Sequence, residues 1–424
     1  AVALAAMTER GLRVLAVAHR ADVPPSDDPG AVEQDLELLG LVGLQDPPRA
    51  DVGEAIARCR EAGIKLAMVT GDHPGTAAAI AREVGLLLPG GAVVSGSDLP
   101  SGETELGELL DHDGTVIARV TPEDKLRITK ALQARGHVVA MTGDGVNDGP
   151  ALRTADIGVA MGASGTDVAR EAADLVLLDD NFGTIVIAVE MGRASFANIR
   201  RFLTYHLTDN VAELTPFVLW ALSGGSIPVA LTVLQVLALD IGTDMLPALA
   251  LGGEPPNRRT MRGPLRCRSL IDGKVAFRAF GLLGPAEAIL SMAAFFLVLV
   301  AGGWRFGATL PDSLLVTASG TAFAAIVLGQ VANVFACRSE SRWVGRIPLL
   351  SNKLVPYAVG CELAMLVLFL LVPPFPELLG GGMPRVLGWG AALLTIPAVI
   401  GVDAAYKGIR AHRLRRQEDR SGTR

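Results

Sequence analysis

Residues 140–152 read AMTGDGVNDGPAL. The small apolar residues Val138, Val139, Ala140 and Met141 run directly into Thr142-Gly143-Asp144-Gly145-Val146-Asn147-Asp148-Gly149. An apolar run ending in a glycine turn with clustered carboxylates reads as a buried parallel strand. It delivers acidic groups to its carboxyl edge, where open α/β sheets place their chemistry. Asp144 and Asp148, with glycines on either side, suit a divalent metal and a phosphate better than they suit packing.

Outward from this stretch, the first part of the chain alternates strands and helices. Residues 2–10 read as a helix, 12–18 and 36–44 as strands, with a polar Pro/Asp/Gly loop over 22–30 between them. Gln45-Asp46-Pro47-Pro48-Arg49 breaks the second strand before a helix over 50–62. A strand over 64–69 ends in Thr70-Gly71-Asp72, Pro74 opens a helix to residue 84, and Gly85 stops it. Residues 86–115 read as a loop-rich excursion, and 116–120 as a short strand. Thr121-Pro122-Glu123-Asp124 then starts a helix that carries Lys125 and ends near Gly136. Strands over 155–160 and 175–178 follow the central one. This order predicts an α/β fold, a doubly wound parallel sheet.

The chain has 424 residues, half of them hydrophobic, with a formal net charge of −6. That length implies more than one domain, and the apolar residues gather after about residue 200. Cys59, Cys267, Cys337 and Cys361 lie far apart, which points to reduced thiols and away from a disulfide framework or a zinc site. The six histidines form no ligand pattern. A nucleic-acid partner is not expected. Ala1 stands inside a helical pattern with no initiator Met, so a longer parent chain is expected.

Residues 181–220 read as one helix, about 40 residues and roughly 60 Å long, amphipathic first and apolar later. Its second half and the stretches at 228–251, 275–301, 314–337, 354–373 and 385–406 each supply the ~20 apolar residues a crossing needs. Six transmembrane helices in an all-α bundle are predicted, with the lipid bilayer as partner. Arg193, Arg200 and Arg201 precede the first crossing, and Arg258, Arg259, Arg262, Arg266, Arg268 and Lys274 follow the second. Arg338, Arg342, Arg346 and Lys353 follow the fourth, and a basic tail follows the sixth. The intervening loops carry only Arg305 and Arg385. The positive-inside rule then places the soluble domain and the C-terminus in the cytoplasm of a multi-pass cell-membrane protein.

Two sets of residues carry chemistry. In the soluble part, Thr70-Gly71-Asp72, Lys125 and the Asp144–Asp148 loop should meet at one sheet edge. A hydroxyl, backbone N–H groups and a lysine suit phosphate oxygens, and a carboxylate suits Mg²⁺. Such a set stabilises a phosphoryl group in transfer. In the first two crossings stand Asp209, Glu213, Asp240 and Asp244. A carboxylate at the bilayer centre costs ~2.5–3.5 kcal/mol on insertion scales, so a cavity or a cation is expected. Asp209 and Glu213 share a helix face with Asn210 beside them, and Asp240, Thr243 and Asp244 share a face of the next helix. Gly242 and Pro247 should loosen that helix so that carbonyls can also coordinate. Oxygen ligands favour Ca²⁺, Na⁺ or K⁺. The competing reading is polar groups that glue helices together.

DPPR, TGD, TPEDK and TGDGVNDGPAL, followed by six hydrophobic helices, resemble the C-terminal half of a P-type cation-transporting ATPase, in the branch of the calcium and sodium/potassium pumps. The resemblance implies a haloacid-dehalogenase-like phosphorylation domain, Mg²⁺ and ATP as cofactors, and ATP-driven cation transport through an aspartyl phosphate. No DKTGT-like stretch, which would carry the phosphorylated aspartate, occurs here. The resemblance therefore implies a partner: a missing N-terminal half carrying that Asp, without which this chain is inactive. Residues 1–35 would be a remnant of the nucleotide-binding domain and 36–185 the phosphorylation domain. Residues 186–409 would be the stalk helix and transport domain, and 410–424 a basic cytoplasmic tail.

By motif, Asp144 resembles the Mg²⁺ ligand, with Asp148 as second candidate and as organiser of the loop. Thr70, Gly71, Lys125 and Asn147 resemble the groups that hold the transferred phosphate, with Asp72 closing the TGD motif, and Arg13 resembles an arginine that touches ATP phosphates. Asn210, Glu213, Asp240, Thr243 and Asp244 match cation-binding positions, and Gln330 and Asn333 match a further ligand pair. DNVAELTPF and LDIGTDMLPA look more like the sodium/potassium pump, although Asp209 departs from the usual small polar residue. Tyr205, Thr208 and Glu362 line an accessory site or simply pack, and Glu287 has no role in the resemblance. If the chain is complete as it stands, the alternative is a catalytically dead, membrane-tethered regulatory or Mg²⁺/phosphate-sensing protein.

Overall fold

The computed structural model describes residues 2–10, 12–21, 33–44, 47–257, 259–265 and 269–421. The loop expected over 22–30 and Asp46 of the DPPR motif lie outside the described residues. The chain forms two compact units, Ala1–Glu190 with Arg258–Leu265, and Met191–Asn257 with Arg266–Arg424.

The first unit opens with α1 (Val2–Glu9), β1 (Arg13–His19) and β2 (Glu37–Leu44). The two strands pair antiparallel, with Arg13 opposite Leu44 and His19 opposite Glu37. There follow α2 (Val52–Glu61), β3 (Ala67–Val69), α3 (Pro74–Glu83), β4 (Val93–Ser95), α4 (Glu103–Leu110), β5 (Thr115–Ala118) and α5 (Pro122–Ala134). The unit continues through β6 (Ala140–Gly143), α6 (Gly149–Thr154), β7 (Ile157–Met161), α7 (Asp167–Ala172) and β8 (Leu175–Leu177). The parallel, helix-alternating organisation predicted from the sequence is present. It is divided into two three-stranded ladders, β3-β5-β4 and β6-β7-β8. Strands this short, three residues in β3, β4 and β8, carry too few ladder bonds to make the order of a sheet legible beforehand.

β5 shows why the sheet forms where it does. Thr115, Val116, Ile117 and Ala118 are all buried. Val116 and Ala118 pack with Ile56, Ala77 and Ala81 on one face, and Ile117 packs with Leu106, Leu110, Ile128 and Ala131 on the other. This is the period of two expected of a strand covered on both faces. Leu106 and Leu110 belong to α4, so the stretch read as a loop-rich excursion holds both a strand and a helix. Gly85 and Gly136 stop α3 and α5 at φ of 74° and 81°, which a Cβ would make costly. At α5 the expected start is a capping box: Thr121 Oγ1 accepts from Asp124 N at 3.2 Å, and Thr121 N donates to Asp124 Oδ2 at 3.0 Å.

The long helix expected over 181–220 is α8 (Phe182–Leu222), 41 residues. In the second unit it is followed by α9 (Val233–Gly252), α10 (Gly273–Ala301), α11 (Asp312–Cys337), α12 (Leu354–Leu371), the short α13 (Phe375–Leu379) and α14 (Val386–Ser421). Among the described residues, α9, α10, α11, α12 and Val386–Arg413 of α14 are long and apolar enough to cross a membrane, five helices where six crossings were counted. The second half of α8 is the one not among them: His206, Asp209, Asn210 and Glu213 lower its hydropathy. α11 is buried on every side from Ala318 to Val334, as an all-round apolar helix requires. It also meets backbone closely, since a Cβ on Gly320 would collide with the Gly382 carbonyl. Among the described residues, Cys337 and Cys361 are free thiols.

Candidate functional site

In the first unit β3 runs into Thr70-Gly71-Asp72. Thr70 N donates to the Ile117 carbonyl at 2.9 Å and Val120 N to the Thr70 carbonyl at 3.2 Å, so this loop is fastened to the strand beside it. Thr70 Oγ1 accepts from Asp72 N at 3.1 Å and donates to Asp72 Oδ2 at 3.0 Å. The cap on α5 presents Lys125 one turn in, where its ammonium donates to Asp148 Oδ1 at 2.5 Å. The other Asp148 oxygen accepts from Gly145 N at 3.2 Å, closing the loop after β6. Gly143 has to be glycine for that closure, because a Cβ there would lie 2.5 Å from Asp148 Cβ.

Val69, Thr70, Gly71, Lys125, Thr142, Gly143, Asp144, Asp148 and Met161 line one cleft of about 380 Å³. Thr70, Gly71, Lys125, Asp144 and Asp148 are thus brought together. Asp72 and Asn147 are not among the lining residues; Asn147 sits exposed on the 3₁₀ turn Val146–Asp148. The Arg13 side chain lies outside the described ones. Met161 comes from β7, and Asp180 fastens the loop that follows. Its carboxylate accepts from Ala163 N at 3.0 Å and Ser164 N at 2.7 Å. Burial works to raise the Asp180 pKa, but these hydrogen bonds hold it below the usual carboxylate range.

Among the described residues no three of His, Cys, Asp and Glu converge as a ready-made metal cage. Mg²⁺ needs less than that: it keeps several waters and takes one or two carboxylates with substrate phosphate oxygens. The exposed Asp144 carboxylate on the cleft fits this donor set. Asp148 fits it less well, because both its oxygens are engaged.

The second unit buries the other set. Asp209, Glu213, Thr243, Asp244, Gln330 and Asn333 are each at most 2% exposed. Asp240 and Asn210 are half-buried. Asn333 Nδ2 donates to Asp209 Oδ1 at 2.8 Å. Gln330 Nε2 donates to Glu213 Oε1 at 3.3 Å, while Gln330 Oε1 accepts from Thr243 Oγ1 at 2.9 Å. Asn210 Nδ2 turns to the His206 carbonyl at 2.8 Å. Carboxylates from α8 and the Thr243 hydroxyl from α9 are therefore tied to the amides of α11. Within α9, Leu239–Asp244 forms a π-helical turn, the widened backbone that Gly242 and Pro247 implied, and such turns release carbonyls from regular pairing. Gly242 also lets α12 approach, since a Cβ there would lie 2.8 Å from the Phe369 ring.

Two residues gain a place that sequence reasoning had not given them. His206 Nδ1 lies 2.6 Å from Asp244 Oδ2. It lines a largely apolar cleft of about 520 Å³ that reaches Asp240 and Asp244 between α8 and α9. Its position one turn before Asn210 was the available signal. Glu287 is fully buried on α10. Several buried polar atoms have no hydrogen-bond donor or acceptor among the described residues: Tyr205 Oη, Asp209 Oδ2, Asp244 Oδ1 and both carboxylate oxygens of Glu287 and Glu362. Thr208, by contrast, bonds back to the Thr204 carbonyl at 2.7 Å.

Residues 228–409 match the family described as "Cation transporting ATPase, C-terminus", and residues 5–156 match the haloacid dehalogenase-like hydrolases. The two matches fall, in the same order, in the unit with the Thr70–Asp148 cleft and in the unit with the buried carboxylates. The chain belongs to the P-type cation-transporting ATPases. It is 42% identical over 382 residues to a calcium-transporting ATPase of Bacillus subtilis, covering 88% of this chain and 40% of the relative. It is 37% identical over 410 residues to calcium-transporting ATPase 1 of Bacillus cereus, covering 93% and 45%. To sodium/potassium-transporting ATPase subunit alpha-2 of Gallus gallus it is 41% identical over 309 residues, covering 66% and 30%. This P-type ATPase chain spans less than half the length of these curated relatives.

Proposed function

We propose that this chain supplies the Mg²⁺/phosphate site and the cation-binding helices of an ATP-driven cation pump that works through an aspartyl phosphate. Residues 36–185 act as its phosphorylation domain and 186–409 as its transport domain. Residues 1–35 are the end of a nucleotide-binding domain in which Arg13 meets ATP phosphates, and 410–424 form a basic tail. A segment outside these residues provides the phosphorylated Asp, and without it the chain is inactive. The soluble domain and the C-terminus face the cytoplasm, in keeping with the arginine-rich loops. What carries the reading is the convergence of three loops, distant in sequence, on one cleft, in a chain whose apolar helices bury carboxylates with unpaired oxygens.

In the cleft, the Thr70 hydroxyl, the Gly71 N–H and the Lys125 ammonium hold and orient the phosphoryl group. Asp148 aims Lys125 and closes the loop, Asn147 and Asp72 support the phosphate end, and Asp144 holds Mg²⁺. When bound, Mg²⁺ neutralises charge on the phosphoryl oxygens, in a reaction where positioning and electrostatics supply most of the catalysis. In the membrane, Asn210, Glu213, Asp240, Thr243, Asp244, Gln330 and Asn333 hold a cation of the Ca²⁺, Na⁺ or K⁺ class. The apolar cleft beside Asp240 and Asp244 suits one more helix completing the coordination.

The test is phosphoenzyme formation from radiolabelled ATP in the pump containing this chain. Asp144→Asn should abolish Mg²⁺-dependent labelling. Glu213→Gln should lower ion-stimulated ATPase activity and leave ATP binding intact. Unchanged labelling in the Asp144 variant overturns the metal role. Binding of Mg²⁺ and phosphate with no phosphoenzyme under any condition favours the regulatory alternative.

A further inference from the structure

Glu287 is a buried titratable group that neither site uses. It stands on α10 just after a second π-helical turn, Ala279–Leu283, and its side chain is fully buried with neither carboxylate oxygen hydrogen-bonded. An isolated carboxylate in apolar surroundings is so costly that proteins pair it, coordinate it or neutralise it. The polar neighbour within its bonding reach is another carboxylate, Asp209, so an ionised Glu287 meets no donor among the described residues.

Its place narrows the choice. Glu287 packs on α11 at Gly329, where a Cβ would lie 2.8 Å from Glu287 Cγ and Oε1. The residue after Gly329 is Gln330, whose amide already joins Glu213 to Thr243. Gly329 thus clears the space that lets the carboxylate reach the level of the cation network. Asp209 Oδ2 and Asp244 Oδ1 also lack partners, and the Glu287 carboxylate lies near enough to both for their charges to interact. Three helices therefore aim unpaired carboxylate oxygens into one region.

We propose that Glu287 is a ligand of the transported cation, which brings α10 into the site beside α8, α9 and α11 and selects a divalent cation of the Ca²⁺ kind. The inference rests on the transport reading above and adds to it a residue, a helix and a charge class. Asp209, Asp244 and Glu287 gather more negative charge than one monovalent ion offsets. Hard oxygen sites that take six to eight donors are also tuned chiefly by the number of charged ligands. The carboxylates form no closed cage beforehand, so coordination is completed as the ion binds.

The experiment measures radiolabelled Ca²⁺ binding, and Tb³⁺ luminescence lifetimes in H₂O and D₂O, on the purified pump containing this chain in lipid nanodiscs. Glu287→Gln keeps the shape and removes the charge. It should weaken Ca²⁺ binding on the order of tenfold or more and add about one water to bound Tb³⁺. Gly329→Ala keeps the carboxylate's charge but displaces it, so it should reproduce both effects. Glu213→Gln should lose Ca²⁺ binding altogether. Wild-type binding and hydration in both the Glu287 and Gly329 variants, with loss in the Glu213 variant, would overturn the role of Glu287 and leave the transport reading standing. Competition by Na⁺ or K⁺ at equal concentration would overturn the divalent assignment. A wild-type pump that binds none of these cations would overturn the transport reading itself, and this inference with it.

Discussion

Asp148 works by holding other groups in place. One of its oxygens takes the Lys125 ammonium and the other the Gly145 N–H, so a single buried carboxylate sets both the place of the Lys125 charge and the shape of the loop. Asp148→Asn keeps the shape and removes the charge. It should cost about 1–3 kcal/mol of stability and weaken inorganic phosphate binding, read by thermal unfolding and by ³¹P NMR titration. Unaltered phosphate affinity would show that Lys125 does not face the anion. At this scale much was legible. Thr70, Gly71, Lys125, Asp144 and Asp148 could be named from their motifs, because each motif is a short local string whose chemistry is limited. His206 was not singled out, and Glu287 was noted without a role. Their significance lies in what faces them from another helix, Asp244 for the first and Gly329 for the second, and a linear pattern does not record facing. Asn147 and Asp72 belonged to the right strings, yet they stand outside the cleft lining.

Among the elements, helix starts were the most legible, because a cap is a local event. Thr121, Pro122 and Asp124 announce α5 before any partner is known. Pairing was the least legible. Neither the antiparallel match of β1 with β2 nor the division into two parallel ladders follows from strand sequences a few residues long. The hidden pieces, β4 and α4, fell in a stretch rich in glycine and proline that masks their short periods. One clasp between elements lends itself to measurement. Asp111, just after α4, accepts from Lys65 Nζ at 2.5 Å and from Arg135 at 2.9 Å at the end of α5. These hydrogen bonds hold its carboxyl well below the usual range. The stabilisation is therefore present above the unfolded carboxylate's pKa of about 3.9 and is lost as pH falls through the lower folded value. Asp111→Asn should lower the unfolding temperature by on the order of 1–3 °C near neutral pH. That difference should close as the pH is taken below about 4. A gap that widened in acid would contradict the clasp.

Across the whole molecule, two family matches, two compact units and two sets of chemistry divide the chain in the same order. Composition alone made that division visible, since the charged, alternating part and the long apolar part hardly mix. What composition could not settle was the number of crossings, because the acids of α8 remove it from the helices that hydropathy recognises. That feature bears on how the protein is made. A helix emerging from the ribosome is admitted to the bilayer largely on its own apolarity, and carboxylates near its middle count heavily against it. α8 reaches the translocon before every strongly apolar helix of this chain. Its entry should therefore wait for α9 and α10, whose arrival gives Asp209 and Glu213 a protein surface to face. A product ending at Leu222 should wash off microsomes in alkaline carbonate, and one extended through Ala301 should stay. Retention of the shorter product would mean that α8 enters alone. On the proposed reading, the groups that hold the ion would thus also delay insertion, and the order of synthesis would become part of how the site is assembled.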